Sequence, residues 1–132
     1  MKINAAEYSS DNATPEEIRE LVSDDAKRGE FMILEKGEDD FVQIAEGAEE
    51  GFVLEYREGE RMFRCMRNVS RDEAEGAFLD YIDGLDSWKS RFSWEPLEFR
   101  PQSSGRLAVV VAVVVLAALV CLAIICFARV LL

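Results

Sequence analysis

Hydrophobic and polar positions change rhythm several times along this chain. The first apolar stripe is helical. Thr14 is placed to cap, Pro15 suits a first helical position, and Glu17 stands three residues after the cap, the signature of a capping box. Ile18, Leu21, Val22 and Ala26 then recur at helical spacing and Gly29 follows, so a helix is expected near 15–28. Residues 1–13 are polar and aperiodic and read as a flexible leader.

From Phe31 the period shortens. Four β-prone runs, Phe31–Glu35, Phe41–Ala45, Phe52–Tyr56 and Met62–Arg67, are separated by segments rich in Gly, Asp and Glu. Short runs with such connections predict hairpins in an antiparallel meander. In the third run Phe52, Leu54 and Tyr56 share one face. In the fourth, Phe63 and Cys65 point inward while Arg64 and Arg67 meet water or acidic neighbours.

A second helical stripe starts at Ser70, with Glu73 completing another capping box. Ala74, Ala77, Phe78, Tyr81, Ile82 and Leu85 fall on one face, which predicts a helix from about 71 to 83 or 86, with Gly84 near its end. The segment Trp88–Phe99 is aromatic, contains Pro96, and reads as an edge strand or an extended stretch. Its tryptophans admit two readings, closure of the core against the sheet or contact with a partner.

The last change is the largest. Leu107 to Ala128 is an unbroken run of 22 apolar residues, long enough as a helix to cross a hydrocarbon core of about 30 Å. The expected plan is therefore a leader (1–13), an acidic soluble domain (14–99), a polar linker (100–106), a transmembrane helix (107–128) and a short tail (129–132). The fold class expected is α+β: a small antiparallel sheet of about four strands packed by two helices, plus the C-terminal span. The N-terminus has no apolar stretch of the signal-peptide kind. Arg100 and Arg106 precede the span and only Arg129 follows it, which puts the N-terminal domain in the cytoplasm of a single-pass, tail-anchored protein. Small residues four apart, Ala108 with Ala112 and Ala117 with Cys121, allow a weak case for self-association through the span.

Charge narrows the partners. All 26 acidic residues precede residue 99, and the segment before the apolar run carries only 14 of the 15 basic ones. That balance repels nucleic-acid phosphates and anionic headgroups, so no nucleic-acid partner is expected, and it favours a basic protein. The chain has no histidine, which removes Ser/His/Asp catalysis and histidine metal ligands. Three cysteines, two of them in the apolar run, make neither a disulfide framework nor a metal set. Paired carboxylates such as Asp39–Asp40 and Glu49–Glu50 fall in turns, where solvated acids are the simplest reading.

No cofactor, metal or catalytic set is expected. The functional expectation is a membrane-anchored, non-enzymatic domain that binds a protein partner. Its contact surface would combine an acidic helix edge (Asp72, Glu75, Asp80, Asp83) with Trp88, Phe92 and Trp94. Two alternatives fit the same composition: an immunity-type inhibitor of a basic toxin or enzyme, and a small accessory subunit of a membrane complex.

Overall fold

The computed structural model describes residues 1–98, and the apolar run 107–128 lies outside them. The elements are β1 (Lys2–Ala5), β2 (Ser9–Ser10), α1 (Pro15–Ser23), α2 (Asp25–Arg28), β3 (Phe31–Gly37), β4 (Asp40–Glu46), β5 (Phe52–Glu58), β6 (Arg61–Cys65), α3 (Arg71–Ile82), a 3-10 turn (Ser87–Arg91) and β7 (Trp94–Leu97). The strands form one antiparallel sheet in the order β2-β1-β3-β4-β5-β6-β7.

This corrects the expected fold class. The sheet has seven strands rather than about four, and it dominates two short helices, so the molecule is mostly sheet. The additional strands come from both ends. The presumed leader supplies β1 and β2, with Ile3 fully buried opposite Leu34. Met1, Ile3 and Ala5 alternate with Lys2 and Asn4 and turn toward the core, a period-2 signal too short to stand out beside the polar residues that follow. At the other end β7 pairs with β6, placing Trp94 beside Cys65 and Pro96 beside Phe63. Proline cannot donate to a ladder, and β7 is an edge strand where that costs least.

Both capping boxes form. Thr14 Oγ1 accepts from Glu17 N and Glu17 accepts from Thr14 N, and Ser70 and Glu73 repeat the exchange at α3. The first helix is shorter than its stripe suggested. It breaks at Asp24, whose carboxylate accepts from Lys27 N and so starts α2. Gly29 closes α2 at φ +72°, where a Cβ would stand 2.6 Å from that of Ala6.

Strand alternation sorts the sheet into two faces. The inner face carries Ile3, Met32, Leu34, Val42, Ile44, Leu54 and Tyr56, all buried in one core with Ile18, Leu21 and Val22 of α1 and Ala74, Ala77, Phe78 and Tyr81 of α3. The outer face carries Phe31, Ile33, Phe41, Ala45, Val53, Met62 and Leu97, and none of these packs against that core. Along its middle runs a polar ladder. Gln43 Nε2 donates to Glu55, which also accepts from Arg64 Nε at 2.6 Å. These partners let Glu55 sit only 8% exposed on a face that no helix among the described residues covers.

Candidate functional site

The proposed contact residues do not all reach the surface. Trp88 is fully buried, packed edge-on against Tyr56 at 5.3 Å and Trp94 at 5.7 Å. Tyr56 is the centre of this cluster, stacked on Phe63 at 4.9 Å and edge-on to Trp94 at 4.7 Å. The 3-10 turn carries Trp88 inward, and Trp94 Nε1 donates to Lys89 O at 2.7 Å, which locks the segment over one end of the core. Core closure is therefore the role of Trp88, not partner contact. Phe92 and Trp94 are half-buried and keep one flank outward.

The acidic edge of α3 is present but uneven. Asp72 and Asp83 are exposed. Glu75 is half-buried beside Arg19 of α1, with 4.0 Å between charged atoms. Asp80 is engaged by Arg91 and by Ser87 Oγ, so it braces the 3-10 turn against α3. Two of the four acids are thus free for a partner and two are used by the fold.

A concavity lies away from these residues. A shallow cleft of about 600 Å³ is bounded by α2, the β4–β5 connection and residues 67–73 at the start of α3. Its floor is Arg28, only 1% exposed. Arg28 donates to Leu21 O at 3.2 Å and Val22 O at 2.9 Å, pairs with Asp25 at 2.7 Å and Glu46 at 3.1 Å, and lies 4.7 Å from the Phe52 ring. Arg71 donates to Val22 O and Ser23 O and reaches Asp25. The last turn of α1 holds no basic residue, and these two guanidinium groups supply the donors its free carbonyls need.

Charge pairing shapes the rim of the cleft. Arg67 grips Glu73 through both terminal nitrogens, at 3.0 and 2.7 Å. That pair, with the Ser70 backbone bond next in weight, pulls the Glu73 carboxyl down to about 2. Asp25 is also held below the usual carboxylate range, first by its bond to Arg28. The opposite wall is tied by Asn68, whose side-chain nitrogen donates to Glu50 O at 3.2 Å. Gly51, at φ +90°, approaches the Val69 carbonyl so closely that a Cβ would lie 2.5 Å from its oxygen. The cleft is a structural junction whose arginines are already engaged, with Glu49 and Glu50 at its mouth.

Sequence reasoning did not single out Arg28. The available signal was an arginine directly before a helix-stopping glycine. Arg64 pairs with Glu55 from the adjacent strand on the outer face.

Among the described residues, no group of three or more His, Cys, Asp or Glu side chains is arranged to hold a metal ion. No helix among them is long and apolar enough to cross a membrane. Comparison with protein-family models, with curated proteins and with solved structures gave no match.

Proposed function

We propose that residues 1–98 form a non-enzymatic protein-binding domain that recognises a basic partner, held at a membrane by residues 107–128 with the domain on the cytoplasmic side. The observation that carries this reading is how the basic residues are used. Twelve basic side chains face 26 acidic ones within residues 1–98, and nine of the twelve are committed to internal ion pairs. The domain therefore presents unbalanced negative charge, including Asp72 and Asp83 on α3 and Glu7, Asp11, Glu38 and Glu60 in turns. Such a surface steers a basic partner and rejects an acidic one. The contact surface keeps the α3 edge and the outward flanks of Phe92 and Trp94, and loses Trp88 to the core.

The test is affinity purification of the full-length protein from its native membrane, beside the same protein cut at Arg106. A basic partner retained by both forms, and released by Asp72→Lys with Asp83→Lys, supports the reading. A partner lost with the apolar segment and indifferent to those reversals makes the chain an accessory subunit that binds through its span.

A further inference from the structure

We draw no further inference here: the strongest candidate, the cleft bounded by α2, the β4–β5 connection and the start of α3, carries nothing because its arginines are already bonded within the fold and the acids left at its mouth, Glu49 and Glu50, have nothing beside them in the structure that points to a ligand.

Discussion

The two faces of the sheet carry nearly the same kind of apolar side chain and use it differently. Leu54 and Val53 are neighbours in β5. Leu54 points inward and is fully buried among core residues, whereas Val53 points outward and is half-buried beside Ala45. The inner face gains from α1 and α3, which cover it. Among the described residues, the outer face is stabilised by cross-strand contacts such as the Gln43–Glu55–Arg64 ladder. Coverage by a second layer, rather than residue type, decides how much a side chain contributes to stability.

The sharpest way to break this comparison is at the aromatic end of the core. Trp88→Ala removes a fully buried ring and should cost about 3–5 kcal/mol in chemical unfolding. Trp88→Phe should cost far less, because the indole N–H it removes has no hydrogen-bond partner. Leu54→Ala should cost about 2–5 kcal/mol, and Val53→Ala on the other side of the same strand below about 1 kcal/mol. Equal losses for the last pair would show the outer face to be covered.

Arg28→Ala comes next. It strips donors from the Leu21 and Val22 carbonyls and leaves Glu46 without its arginine, at an expected cost of about 2–4 kcal/mol. Amide exchange should quicken at the end of α1 and in the β4–β5 connection before it does in the central strands. Ser70→Ala removes one cap of α3 and should cost about 1 kcal/mol.

The smallest effect is in acid. The Glu73 carboxyl is held near 2 when folded, well below its unfolded value, so its contribution is complete above about pH 4.5. Unfolding takes up a proton between those limits, and the contribution drains as the pH falls through them. Glu73→Gln should flatten that part of the stability profile, by only a modest amount because the pair with Arg67 is partly exposed.

The parts legible in the sequence were those with a period or a cap. Thr14–Glu17 and Ser70–Glu73 announced both main helices, and the alternation around Leu54 located β5. What escaped had a short repeat or none. Met1, Ile3 and Ala5 alternate over only five positions, and their strand is fixed by Leu34, some thirty positions away, which offers a ladder beside it. The break at Asp24 was hidden because the apolar stripe runs on through Ala26. Arg28 was masked by its type, since an arginine is seldom buried unless carbonyls and carboxylates converge on it. Trp88 and Trp94 were equally suited to core and contact, and only the direction imposed by the 3-10 turn separates them.

That separation gives the molecule an internal optical pair. Trp88 is fully enclosed with an unbonded indole nitrogen, so its emission belongs at the blue end of the tryptophan range and should resist aqueous quenchers. Trp94, half-exposed and hydrogen-bonded to Lys89, should emit further to the red and yield to quenching first. Their ring centres lie 5.7 Å apart, so Trp88 passes excitation to Trp94 while β7 stays docked. Loosening of β7 alone should weaken that transfer and raise the blue component, whereas loss of the core should shift all emission to the red, so a single spectrum distinguishes fraying of the sheet edge from loss of the core.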